Sequence, residues 1–175
     1  MKSIKVAAIQ MACTSDKTRN IEMAKTLVRE AAAQDAQIIL LQELFETLYF
    51  CQEESPEHFG LATELPDPSY DSKDHWQTCM CGHSAANLMP VVAANRIRTE
   101  TVGPSKITFY GSSFITDNKG RIIAQADRST QGLIVADMDL ERFARDRESW
   151  GLFRDRRPEL YGPIMTLDGI TRVPH

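Results

Sequence analysis

Apolar and polar positions at the start of the chain change period twice within about forty residues. Ile4 to Ala12 is nearly continuous apolar sequence and reads as a strand. Ile21, Ala24, Leu27, Val28 and Ala31 then recur at helical spacing, marking one face of a helix that begins near Asp16 to Asn20 and ends by Gln34. Ile38 to Gln42 follows as a second strand, apolar enough to be expected to lie buried on both faces. Strand, helix and strand in this order imply parallel pairing through a right-handed crossover. Leu44 to Gly60 reads as an aromatic-rich loop and short helix, with Tyr49, Phe50 and Phe59 as core or pocket surface. Beyond it, Asp71 to Asn87 reads as a helix and Pro90 to Asn95 as a strand. Thr108 to Thr116 and Arg121 to Ala126 form a hairpin around Asp117-Asn118-Lys119-Gly120. Gly132 to Asp137 adds another strand, and Asp139 is placed to cap a last helix through Glu148 by accepting from its free first-turn amides. Arg142, Arg145 and Arg147, beside Asp146 and Glu148, read as a solvated face.

The pattern singles out Glu43, a carboxylate at the end of the apolar run Ile38-Ile39-Leu40-Leu41-Gln42. In open α/β sheets chemistry collects where such strands end. Burial there raises a carboxyl pKa toward the working range of a general base. The alternative is that Glu43 closes the strand and pairs with a nearby arginine.

Composition narrows the classes. At 175 residues and 42% hydrophobic content the chain is one domain or part of one, with no second domain on offer. A net charge of -4 without a basic run argues against nucleic acid, and Arg154-Asp155-Arg156-Arg157 is too short and interrupted to change that. No stretch approaches the roughly 20 apolar residues needed to span a membrane. Four cysteines without a secretory pattern fit reduced thiols, so a cytoplasmic location is expected. His75, Cys79 and His83 share one face of the Asp71 to Asn87 helix, but three turns of a single helix spread them too widely for one ion, and no metal or other cofactor is expected.

Several segments together resemble a known family. Val6-Ala7-Ala8-Ile9-Gln10-Met11-Ala12-Cys13 and Leu41-Gln42-Glu43-Leu44-Phe45-Glu46-Thr47-Leu48-Tyr49-Phe50-Cys51-Gln52 resemble the start of a nitrilase-superfamily carbon-nitrogen hydrolase. Asp71-Ser72-Lys73-Asp74-His75-Trp76-Gln77, Ala94-Asn95-Arg96-Ile97, Thr108 to Ile115 and Ser149 to Tyr161 are similar, in the same order, to its N-carbamoylputrescine amidase branch. The resemblance implies an αββα sandwich and a Glu, Lys, Cys triad in which cysteine attacks the substrate carbon, glutamate moves protons and lysine steadies the tetrahedral intermediate. It implies release of ammonia and carbon dioxide from a small ureido substrate to give putrescine, within polyamine synthesis and without a cofactor. Glu43 matches the triad glutamate.

The other two members have no match. The family's lysine lies in a Lys-x-His type segment and its cysteine in a Cys-Trp-Asp type segment, and this chain has neither. Leu61 to Pro68 passes directly into Ser69 to Trp76, which the family places well beyond its cysteine. The domain, residues 1–175, is therefore read as internally truncated near 64–69, with Pro66-Asp67-Pro68-Ser69 marking the junction. Cys13, Cys51, Cys79 and Cys81 fall outside any match to the catalytic motif, and no activating cation or base is visible beside them. The incomplete sandwich is expected to lack hydrolase activity and to expose unpaired strand edges. The segment Trp150 to Tyr161 resembles the family's oligomer-interface arm, implying homo-oligomerisation or association with a complete homologue.

Overall fold

The computed structural model describes residues 3–49, 71–102 and 105–166. Ser3–Gln10 (β1) and Lys17–Ala33 (α1) lead into Ile38–Leu40 (β2). After these come Lys73–Asn87 (α2), Val92–Ala93 (β3), Ile97–Val102 (β4) and Ser105–Tyr110 (β5). Phe114–Thr116 (β6), Ile122–Gln125 (β7), Gly132–Asp139 (β8) and Leu140–Trp150 (α3) follow. Two short 3-10 turns, Pro158–Leu160 and Gly162–Met165, end the described chain.

The strands form two three-stranded sheets, ordered β2-β1-β8 and β3-β6-β7, and a separate β4-β5 hairpin. β1 pairs with β2 in parallel, Val6 opposite Ile38, as the strand-helix-strand order requires. Its other edge pairs antiparallel with β8, Ser3 opposite Asp139. Alternation along β1 sends side chains to two different cores. Val6 and Ala8 meet Ile115 and Met138 between the sheets, while Ile9 and Met11 meet Ala24 and Leu27 of α1. On the far side, Trp76 of α2 packs edge-on against Phe114, ring centroids 5.1 Å apart. Ser84 ties the same helix down, its Oγ lying 2.7 and 2.8 Å from the Met89 and Asp117 carbonyl oxygens, between which its one O–H proton is shared. The layers therefore run helix, sheet, sheet, helix.

Local chemistry accounts for most boundaries. Asp16 caps α1 by accepting from the Arg19 amide at 3.0 Å, and Asp139 caps α3 by accepting from Arg142 at 2.9 Å. The Asp117 carboxylate accepts from the Lys119 and Arg121 amides, closing the β6-β7 turn. Gln10, fully buried at the end of β1, spans the layers: its Oε1 accepts from the Ser113 amide, and its Nε2 donates to the Asp127 and Thr130 carbonyls.

Three expectations need correction. β2 ends at Leu40 and is not buried on both faces: Ile38 is 55% and Leu40 37% exposed, because β2 is an edge strand among the described residues. The expected strand from Thr108 to Thr116 is two strands in different sheets. Gly111 and Ser112 both adopt positive φ, 55° and 58°, and break the run. Only glycine fits at 111, where a Cβ would lie 2.7 Å from the Arg128 carbonyl oxygen. The third concerns the charged face of α3. Arg142, Arg145 and Glu148 are exposed, but Arg147 lies over the Phe153 ring at 4.4 Å and Asp146 accepts from Asn118. The junction at 64–69, Phe50, Phe59 and Cys51 lie outside the described residues.

Candidate active site

The end of β2 is anchored by Gln42. Its buried amide accepts from the Met11 backbone at 2.8 Å and donates to the Cys13 thiol at 3.2 Å. Glu43 follows at the rim of a cavity of about 220 Å³ lined by Gln42, Glu43, Tyr49, Trp76, Ala94, Asn95, Arg96, Phe109 and Tyr110. Contributions come from the end of β2, from α2, from the segment between β3 and β4, and from the β4-β5 hairpin.

The side chain of Glu43 is exposed. An arginine does hold it, though through its backbone. Nη1 of Arg96 donates to the Glu43 and Leu44 carbonyls at 3.0 and 2.9 Å, and Nη2 donates to the Thr47 carbonyl at 2.7 Å. Leu44 sits at φ 54°, a left-handed conformation that a branched residue keeps only when its surroundings impose it. The three carbonyl contacts from one guanidinium supply that constraint.

Arg96 is in turn fixed by Glu100. Nε of Arg96 donates to Glu100 Oε1 at 2.8 Å, and both side chains are almost fully buried. The second oxygen of Glu100 accepts from the Tyr49 amide at 2.6 Å. The guanidinium also lies 5.4 Å from the Phe109 ring centroid and 5.8 Å from that of Tyr49. Arg96 entered the sequence reading only as part of a family-like segment, and Glu100 not at all. The available signal was an opposite-charge pair four positions apart, Arg96 just before β4 and Glu100 within it.

Of the cysteines among the described residues, Cys13, Cys79 and Cys81, none lines the cavity. Cys13 is buried behind the loop, its Sγ donating to the Phe45 carbonyl at 3.3 Å. Burial pushes its thiol pKa up, partly opposed by the charge of Arg96. Cys79 and Cys81 lie on α2 away from the lining residues, and burial raises the Cys81 thiol. Cys79 is 3.7 Å from His75 Nε2, but no group of three potential ligands that includes His83 comes together among the described residues.

The layered fold corresponds to that of known proteins. Residues 5–72 and 58–148 match the carbon-nitrogen hydrolase family, and the chain belongs to that family. It is 30% identical to an N-carbamoylputrescine amidase of Arabidopsis thaliana over 290 aligned positions, covering 96% of this chain and 97% of that protein. Since this chain has 175 residues against those 290 positions, more than one hundred of them face no residue here. It is 53% identical to a citrullinase of Francisella tularensis over 110 residues, 63% of this chain and 38% of that protein. A crystal structure of a carbon-nitrogen hydrolase from Helicobacter pylori G27 superposes with a TM-score of 0.79 at 19% identity, covering 95% of this chain and 99% of that one. That likeness shows the fold.

Proposed function

We propose that this chain is a carbon-nitrogen hydrolase scaffold that keeps the glutamate of a Glu, Lys, Cys site, as Glu43, and does not by itself hydrolyse its substrate. The observation that carries this reading is the cavity beside Glu43: among the described residues its lining contains neither a cysteine nor a lysine. A thiol nucleophile must lie within hydrogen-bond reach of its base, and the buried Cys13 is committed to Phe45 and Gln42. The family match breaks and restarts over 58–72, which supports a junction near 64–69 where the relatives carry their central block. The names of the similar proteins, N-carbamoylputrescine amidase and citrullinase, point to a small ureido compound as the ligand of the complete site. In that complete form Glu43 serves as general base, and the product belongs to polyamine synthesis.

A second reading is association with another copy or with a complete homologue through the Trp150 to Tyr161 segment. It is favoured by the exposure of large apolar side chains there, with Trp150 60% and Leu160 61% exposed.

Ammonia release from N-carbamoylputrescine and from L-citrulline tests the first reading. The purified chain is expected at background with both. Turnover that disappears in Glu43→Ala overturns the proposal.

A further inference from the structure

We propose that the free edge of β2 is an acceptor for a parallel strand supplied by a separate polypeptide, the central segment that this chain's relatives carry and it does not. The inference rests on reading the chain as internally truncated.

β2 hydrogen-bonds only to β1 among the described residues, and it does so in parallel. Parallel strands are ordinarily interior and covered on both faces. Here Ile38 is 55% and Leu40 37% exposed, although both are strongly apolar. Ile39 packs against the cluster of Ile9, Met11 and Leu27 while Ile38 and Leu40 point to the opposite face, so β2 is anchored by one face, covered little on the other, and paired along one edge among the described residues. Open edges are usually guarded by a charge, a proline or a bulge. Ile38-Ile39-Leu40 carries none of these. The edge is also continuous with the candidate site, since Gln42 and Glu43 leave the strand directly into the cavity.

The occupant follows from the mismatch in length. The Arabidopsis relative aligns end to end over 290 positions with a chain of 175 residues. The unmatched run is long enough for several strands with their crossovers, which take about a dozen or more residues each. A segment of that length, which in the relative shares one chain with the counterpart of this scaffold, is the occupant assigned to the open edge.

The experiment co-expresses the full chain with a tagged polypeptide comprising the run of the Arabidopsis relative that aligns with no residue of this chain. The two are expected to co-purify, with backbone-amide exchange at Ile38 to Leu40 slowed about tenfold or more relative to the chain alone. Replacing Ile38→Lys and Leu40→Lys together should abolish co-purification. Because Ile38 is 55% exposed, the single variant Ile38→Lys should weaken co-purification while leaving the melting temperature of the chain alone unchanged. Failure to co-purify, co-purification without protection at β2, or insensitivity to the two lysines overturns the proposal. A dimer of the chain alone that protects the same amides overturns it too, by assigning the edge to a second copy. None of these results bears on whether the chain alone turns over substrate, so the two readings fail separately.

Discussion

Arg96 and Glu100 form a buried ion pair at 2.8 Å that carries the conformation of the loop after β2, because the same guanidinium binds the carbonyls of Glu43, Leu44 and Thr47. Two buried charges persist only when their hydrogen bonds are satisfied, and here the Tyr49 amide completes Glu100. The candidate base is thus placed by a residue fifty-three positions away in sequence.

Removing one partner leaves the other charge buried without compensation. Glu100→Ala is expected to destabilise the chain by about 3 to 5 kcal/mol, and Arg96→Met by a comparable amount. The double variant Arg96→Met with Glu100→Leu should recover much of that loss, since neither charge then remains. Urea unfolding of the three variants measures this, and additive losses would mean the pair does not act as a unit.

Cys13 should resist alkylation while Cys79 reacts. Cys79 is exposed, whereas burial pushes the Cys13 thiol up and its Sγ is held against Phe45. Iodoacetamide near neutral pH is expected to label Cys79 in the folded chain and Cys13 only on unfolding, read by peptide mass spectrometry. The sign for stability follows from the raised value. The contribution of Cys13 is fully present below the unfolded thiol pKa of about 8.5 and is lost as pH rises toward the folded value. Melting temperature should fall over that alkaline range by less in Cys13→Ala.

Asp127 governs the acid side. Hydrogen bonds from Thr130 and Ser129 hold its carboxyl down to about 2. A depressed carboxyl stabilises the fold above its unfolded value of about 3.9, and that contribution is lost as pH falls toward the folded value. Asp127→Asn should flatten the acid limb of the melting curve between about pH 4 and 2, while leaving neutral spectra unchanged. An unchanged acid limb would show that the turn does not persist in solution.

The strand, helix, strand opening was legible because β1 and α1 follow their periods cleanly and an aspartate, Asp16, caps α1. The hairpin at Asp117 to Gly120 was legible for the same reason: turn chemistry is local. β4 was not, because Glu100, a charge that ordinarily marks solvent, is buried, and Arg98 takes a positive φ of 72°, which together hide its alternation. The division of Thr108 to Thr116 escaped because a positive φ at Ser112 has no composition signal. Exposure of Ile38 and Leu40 could not be read from an apolar run, since burial depends on what lies beside the strand. Glu43 was found from the pattern and from resemblance. The residues that hold it were not, because they reach it across the fold.

The central claim is that Glu43 has no nucleophile to serve in this chain, and covalent trapping tests it most directly. The purified chain is incubated with N-carbamoylputrescine in excess, quenched in acid and examined by intact and peptide mass spectrometry. Attack by a thiolate would expel ammonia and leave a substrate-derived thiocarbamate on that cysteine. The account predicts all four cysteines unmodified. An adduct on any one of them, formed in the native chain and lost in Glu43→Ala, would contradict it.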